Sequence, residues 1–276
     1  MTDLVVRRLL IDLEHGFARR WVGGDAFRTA LLNALSMSFP AGEQFFIDSV
    51  RAGLAALDPV ARRVLEPQVR GFIGQEATHR RLHGLFNAEL ERQGLRNHWQ
   101  ERTRVRIRRL EGLDPRHPLA ATAAYEHFTA ILADWLHANP RALDGAPEPL
   151  ATLWLWHAAE ESEHKIVAFE VYRALGGDET WRLRWFRIAT FNFLLDVTRQ
   201  TLNNLWHDRA LLRPSTWIGG ARFLFGRKGM IRACYRPWRA YLASGFHPDQ
   251  LGDDARIRQW LSDHASAYQV VGATGD

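Results

Sequence analysis

The chain has 276 residues, of which 46% are hydrophobic and 24% charged, a balance typical of a globular protein with a substantial core. The single cysteine, Cys234, excludes an internal disulfide framework and fits a reducing compartment, so we expect a cytoplasmic location. The net charge of +5 is mild, no stretch reaches the roughly 18 uncharged apolar residues of a membrane-spanning helix, and the N-terminus does not resemble a signal peptide.

Apolar residues recur with a period near 3.6 along most of the chain, and glycine and proline fall between the periodic segments. The sequence therefore predicts an all-α protein. The first two helices are expected over residues 25–39 and 41–57, because Asp25 is a suitable N-cap and Pro40 should end the first of them.

A third predicted helix runs from about Val60 to Gln93, and Pro67 could kink it. Later helices are expected over about 118–137 and 149–175, and further helices rich in Trp, Phe and Arg follow residue 178. We predict one domain over residues 1–276, with a bundle core at 41–175 and a C-terminal extension at 178–264.

A pattern of carboxylates and histidines occurs twice in these segments. In each half, a glutamate is followed about one helical hairpin later by a Glu-x-x-His pair. Two helices that each give one Glu, and two that each give Glu-x-x-His, form the ligand arrangement of ferritin-like bundles that bind two metal ions. The pattern predicts such a dimetal site in a ferritin-like four-helix bundle with additional C-terminal helices. Its six ligands would be Glu43, Glu76, His79, Glu126, Glu161 and His164.

Helical geometry adds further candidates around this site. At about 100° per residue, each Glu-x-x-His pair shares one face of its helix, and His83 and His157 each fall within about 60° of the nearby pair. His157 is favoured as a seventh ligand, whereas His83 is favoured as a supporting residue. Glu160 sits at the margin of the metal-facing side and is a second supporting candidate. Glu163 should point away, and His127 should face elsewhere.

The ligand types restrict the metal. Buried glutamate and histidine are costly unless they are paired or metal-bound, and four glutamates would neutralise two divalent ions. Mixed oxygen and imidazole ligands suit iron or manganese, and the lack of a nearby cysteine argues against a structural zinc site. We expect two iron ions, with manganese or zinc as alternatives. The assignments of Glu43 and Glu126 as ligands rest on spacing, so Asp48 or Asp134 could take their places in the site.

Four segments resemble the family described as predicted metal-dependent hydrolases, a ferritin-like group. These are PAGEQFFIDSVR at 40–51, FIGQEATHRRLH at 72–83, WHAAEESEHKIVAFEVY at 156–172 and YLASGFHPDQ at 241–250. The second Glu-x-x-His is also similar to that of the di-iron arylamine N-oxygenases, which have an extra histidine four residues before the glutamate. This second resemblance implies that His157 is a metal ligand.

Three functions are open at this point. The resemblance to di-iron enzymes implies an O2-dependent oxidase or oxygenase that acts on a small apolar or aromatic substrate. Its electrons would come from a separate reductase, because no Gly-rich nucleotide fingerprint is present. The family resemblance implies instead a metal-dependent hydrolase that activates water. A non-catalytic iron-binding protein is the third alternative.

The C-terminal extension raises the question of partners. Residues 181–206 mix Trp, Phe and Leu with arginines, which is typical of an amphipathic helix that covers a bundle. The same segment could make peripheral contact with an anionic membrane, and the extension could mediate a homodimer. No recognised nucleic-acid module occurs, so no specific nucleic-acid partner is expected.

Overall fold

The computed structural model of the protein describes residues 4–13 and 15–272. Helices dominate, and within these ranges the only sheet has two short strands, so the all-α prediction is confirmed. The strands are β1 (Arg7–Leu9) and β2 (Tyr268–Val270). The helices are α1 (Ala26–Ala56), α2 (Pro59–Arg92), α3 (His98–Arg108), α4 (Arg116–Ala138), α5 (Glu148–His164), α6 (Val167–Ala174), α7 (Glu179–His207), α8 (Pro214–Phe225), α9 (Met230–Ala240) and α10 (Asp254–Asp263).

Four of these helices surround the predicted site. Helix α1 packs along α2 and α4 packs along α5, and the two pairs are joined by contacts of α1 with α4 and of α2 with α5. Two large hydrophobic clusters fill the interior, one containing Trp21 and Trp156 and the other Phe72 and Tyr172. The inner faces of α1, α2, α4 and α5 therefore meet. The assignment to the ferritin-like bundles in particular stays a prediction.

The predicted break at Pro40 is wrong, because α1 continues through this residue. A proline has no N–H, so the carbonyl of Ser36 loses its partner within the helix. The Asn87 side chain of α2 donates to this carbonyl instead, over 2.9 Å. The Asn97 side chain donates to the next carbonyl, that of Met37, over 2.7 Å. Side-chain amides from other segments thus satisfy carbonyls at the proline and allow α1 to continue.

The predicted helix over 149–175 is also corrected, because it is two helices, α5 and α6, separated by a turn at Lys165 and Ile166. The Lys165 side chain is buried, and its ammonium donates to the carbonyl of Leu251 over 2.7 Å and to Asp254 over 3.0 Å. Burial of an ammonium requires such partners, and they lie far along the chain. The helix turns where Lys165 reaches them.

The C-terminal extension packs against the bundle. Helix α7 contacts α1, α3 and α4, and α9 contacts α4. The inner face of α7 buries Phe186 and Ala189, while Phe191 and Leu194 on the same helix are exposed. No helix in the described part of the chain is both long enough and apolar enough to cross a membrane.

Strand β1 pairs with β2 in antiparallel register, with Arg8 opposite Gln269, and β1 also contacts α2. This pairing was not predicted, because strands of three residues have no periodic signal in a sequence. It fixes the start of the chain against the bundle, directly beside the predicted site.

Candidate metal centre

Seven glutamate and histidine side chains converge inside the bundle, and all of them are buried. They form two groups, within each of which the ligand-type atoms lie no more than 4.8 Å apart. This donor cluster consists of Glu43, His79 and His157 in the first group and Glu76, Glu126, Glu161 and His164 in the second. These are the seven residues that the sequence predicts as ligands. Helix α1 supplies one, α2 two, α4 one and α5 three.

Glu161 connects the two groups. Its Oε1 atom lies 2.7 Å from His157 Nε2 and 3.5 Å from His79 Nδ1, whereas its Oε2 atom lies 3.4 Å from His164 Nε2. One carboxylate therefore faces the first group with one oxygen and the second group with the other. A carboxylate in this position suits a bridge between two metal ions.

The second group is centred on His164. Its Nε2 atom lies 3.1 Å from Glu76 Oε1 and 3.3 Å from Glu126 Oε2. The first group is more open, since His157 Nε2 lies 4.0 Å from Glu43 Oε1. Both groups combine carboxylate oxygens with imidazole nitrogens, which is the ligand mixture that suits iron or manganese.

Unsatisfied polar atoms support metal binding by this cluster. Among the described residues, nine of its buried side-chain atoms make no hydrogen bond of normal geometry, although some of them lie within 3.5 Å of one another and buried polar atoms normally have a partner. Each would cost about 1–3 kcal/mol if it stayed unpaired. They are both carboxylate oxygens of Glu43, Glu76 and Glu126, Glu161 Oε2, His79 Nδ1 and His164 Nε2. Two cations would satisfy these atoms, so the residues present fit a dimetal centre.

Burial and mutual repulsion perturb the titration of the cluster. Burial raises the pKa of Glu43 well above its usual range and the pKa of Glu126 to about 8. Burial would also raise the pKa of Glu161, but the surrounding imidazoles hold it well below its usual range. Burial alone would lower the pKa of His79, but the carboxylates of Glu160 and Glu161 raise it to about 10. Without metal, the cluster therefore retains protons that a metal ion must displace.

The two Glu-x-x-His histidines are held from behind by one continuous network. His79 Nε2 lies 3.0 Å from Glu160 Oε2, which leaves Nδ1 to face the cluster. The other oxygen of Glu160 accepts from Arg7 of β1 over 3.2 Å. Arg7 also donates to both oxygens of Glu163, over 2.7 Å and 3.0 Å. The guanidinium thus joins two carboxylates of α5.

The network continues from Glu163 to the second group. Gln75 Nε2 donates to Glu163 over 2.9 Å, and Gln75 Oε1 lies 3.0 Å from His164 Nδ1. His164 then presents Nε2 to the cluster. Partners of this kind fix the orientation of a metal-binding imidazole and increase its basicity. Glu163 points away from the cluster, as predicted, but it is part of this network and not a solvated remainder.

A separate chain supports His157. Its Nδ1 atom lies 2.6 Å from His83 Nε2, and His83 Nδ1 lies 2.8 Å from the Ser36 hydroxyl, which donates to Asn87. His83 belongs to neither group of the cluster, and burial lowers its pKa well below the usual range. A neutral imidazole that supports His157 is consistent with these contacts.

Other sequence candidates lie elsewhere. Asp48 is exposed and pairs with Arg51, and Asp134 lies near Arg256, so neither carboxylate joins the cluster. His127 is buried against the carbonyl of Pro237, 3.1 Å away.

Sequence reasoning missed Arg7, Gln75 and Ser36. Only Gln75 had a signal, because it directly precedes Glu76. Arg7 and Ser36 reach the site through tertiary contacts alone.

A cavity of about 290 Å³ opens beside Glu43, between α1, α3, α4 and α7. Its walls are mainly aromatic and aliphatic, and they include Phe39, Phe46, Phe128 and Phe193. Its volume lies near the lower end of the range for ligand pockets. Because a residue of the donor cluster forms part of its wall, a molecule in this cavity would lie next to the metal centre.

Comparison with known proteins agrees with a metal-dependent function. A search of curated proteins and a search of solved structures each found no significant match. The model of the family described as "Predicted metal-dependent hydrolase" matches residues 5–252, a range that includes Arg7 and the whole donor cluster. This description supports metal dependence. It names hydrolysis, which is the alternative interpretation of the sequence, and it does not name an O2-dependent reaction. The chain belongs to the family of predicted metal-dependent hydrolases.

Proposed function

We propose that the protein is a dimetal enzyme in which the donor cluster holds two iron ions and acts with O2 on a small apolar substrate. One observation carries the proposal: seven buried donors form two adjacent groups, with Glu161 between them. Each group would hold one ion, and Glu161 would be placed to serve both groups. When bound, iron would supply the redox chemistry, and the protein would supply ligand geometry and a shaped pocket.

The charge of the cluster suits two divalent ions, iron among them. Four glutamates balance the charge of two divalent ions, so the reduced centre is neutral and can be tolerated in a dry core. Without His157, the other six donors are also the set found in the di-iron and di-manganese carboxylate bundles.

The cavity supports an apolar substrate. In the described part of the chain, Glu43 is the one lining residue of the cavity that has a carboxylate, imidazole or thiol. No other such group lines the cavity to act as a general base that takes a proton from an attacking water. Its aromatic walls would instead exclude water from the metal centre and hold an apolar molecule there. Electrons for the reaction would come from an external donor.

Metal-dependent hydrolysis is the second candidate, and the family description favours it. It needs the same donor cluster with a metal that does not change valence. The two candidates differ in their requirement for O2, so one set of measurements separates them.

The first measurement is the metal content of protein purified without added metal. The protein would then be loaded with ferrous iron without oxygen, and O2 consumption and the optical spectrum would be followed after mixing with O2. About two irons per chain and rapid O2 consumption would support the proposal. Zinc or manganese in the purified protein, no O2 consumption and turnover of model esters would support hydrolysis.

A matched pair of variants on α2 controls for metal bound elsewhere. Glu76→Ala removes a donor of the second group, whereas Glu66→Ala removes an exposed carboxylate of the same helix. We expect the first variant to lose metal and O2 consumption and the second to retain both. Equal metal content in the two variants would contradict the site.

A further inference from the structure

We propose that the cavity beside Glu43 selects a small amphipathic carboxylate, with its anionic group at Arg109 and its apolar part directed toward Glu43. The inference rests on the proposed function only in that this molecule would be the substrate of the metal centre. It goes further because it assigns the charge of the ligand, its orientation and a recognition residue to this cavity.

The inner part of the cavity is suited to a hydrocarbon or an aromatic ring. Next to Glu43 in the chain, α1 contributes Phe39, Gly42 and Phe46 to the wall. Gly42 leaves space, because a Cβ atom at this position would have only the Phe46 ring, 3.8 Å away, as a neighbour. Glu43 itself is only 2% exposed, so water has little access to its carboxylate. An ionised group would not be stable here without a partner.

The wall that α3 and the turn after it form is positively charged. Helix α3 and the turn after it contribute Arg106 and Arg109 to the lining, and no aspartate or lysine lines the cavity in the described part of the chain. Arg106 shares the buried carboxylate of Asp196 with Arg102, so two guanidinium groups meet one carboxylate. These three residues therefore keep one net positive charge.

Arg109 adds a second positive charge that is not neutralised. Its side chain has no ion-pair or hydrogen-bond partner among the described residues, and the residue is exposed. An anion at the mouth of the cavity could reach this guanidinium while it keeps contact with water. The contrast between buried apolar lining at Glu43 and an exposed cation at Arg109 sets the orientation of the ligand.

The test compares two molecules with the same apolar chain, octanoate and octan-1-ol. Their binding would be measured by isothermal titration calorimetry at low ionic strength, with metal-loaded protein in the absence of O2. We expect octanoate to bind about tenfold more tightly. Arg109→Ala should weaken octanoate binding about fivefold and leave octan-1-ol binding unchanged, and Arg109→Glu should remove the preference for the anion.

Arg108→Ala is the matched control, because Arg108 is the neighbouring exposed arginine but does not line the cavity. It should bind octanoate as the unchanged protein does. Equal affinity for octanoate and octan-1-ol, or no binding of either, would overturn the proposal. A preference for octanoate that survives Arg109→Glu would overturn the assigned orientation, since the carboxylate would then bind elsewhere, at the metals for example.

The outcome is independent of the reaction at the metals. Selective binding of octanoate by a protein that consumes no O2 would leave this inference intact and refute the proposed O2 chemistry. O2 consumption by a protein without selectivity for octanoate would do the reverse.

Discussion

Removal of the Arg7 guanidinium would test whether β1 controls the metal centre. Arg7 is the one cation that contacts both Glu160 and Glu163 in the described chain, and its side chain is only 9% exposed. In Arg7→Ala, Glu160 would keep His79 as a partner but lose the Arg7 guanidinium while it stays fully buried. Removing one partner of a buried ion pair costs about 3–5 kcal/mol. Glu163 is 22% exposed, so water would satisfy it in part and the cost should lie near 3 kcal/mol.

The same variant should weaken metal binding. Glu160 orients His79, and Glu163 orients Gln75 behind His164, so both histidines would lose part of their support. Loss of such supporting contacts lowers metal affinity about 10–100-fold. The assay is a competition titration of the metal against a chelator of known affinity, with thermal unfolding of the metal-free protein followed in parallel.

Two further variants make the result interpretable. Arg8→Ala removes the exposed neighbouring arginine of the same strand and should change neither quantity. Arg7→Lys keeps the positive charge but cannot bond both oxygens of Glu163 in a fork, so it should fall between the two alanine variants. If Arg7→Ala lowers stability but leaves metal affinity within twofold of the unchanged protein, the network does not position the histidines and the reasoning is refuted.

Three other changes have defined outcomes. Glu161→Ala should remove most of the bound metal, measured by elemental analysis, whereas Glu163→Ala should retain the metal when it is supplied at saturating concentration. If Glu163→Ala loses the metal and Glu161→Ala retains it, the assignment of which face of α5 points to the cluster is wrong. The melting temperature of the metal-free protein should fall as pH rises from 6.5 to 8. The pKa values of His79 and Glu126 are raised to about 10 and about 8, so both groups bind protons more tightly in the folded state than in the unfolded state. Over the same range metal affinity should increase, since the metal displaces these protons; a flat titration in both measurements would contradict the pKa shifts.

The third change concerns Gly42 and Gly53, two glycines of α1 that differ in their surroundings. A Cβ atom at Gly42 would meet only the Phe46 ring at 3.8 Å, so Gly42→Ala should stabilise the helix by about 0.5–1 kcal/mol. A Cβ atom at Gly53 would lie 2.5 Å from Leu119 and 2.8 Å from Val171, so Gly53→Ala should destabilise the protein in a denaturant titration. Similar effects of the two substitutions would argue against this packing of α1.

The two corrected helix boundaries show where local signals were overruled. Pro40 should end a helix, but amides from Asn87 and Asn97 satisfy the carbonyls around it, and these residues come from later parts of the chain. The apolar period of 149–175 continues without interruption, yet the chain turns at Lys165, because its ammonium finds partners more than eighty residues away. In both cases the deciding contact is remote in sequence and therefore has no period or cap that could predict it.

The sequence by itself determined the all-α class and the family, and it predicted the seven residues that meet in the donor cluster. A helical period of 3.6 and a repeated Glu-x-x-His pattern indicate which side chains share a face. The tertiary structure decided how those donors divide into two groups, which carboxylate lies between them and which residues support the histidines. It also decided the cavity and its charged mouth, since α3 and α7 meet only in the folded chain. Arg7 is an example of this difference. A strand of three residues has no periodic signal in the sequence, and the Arg7 guanidinium reaches Glu160 of α5 only because β1 pairs with β2 in the folded chain.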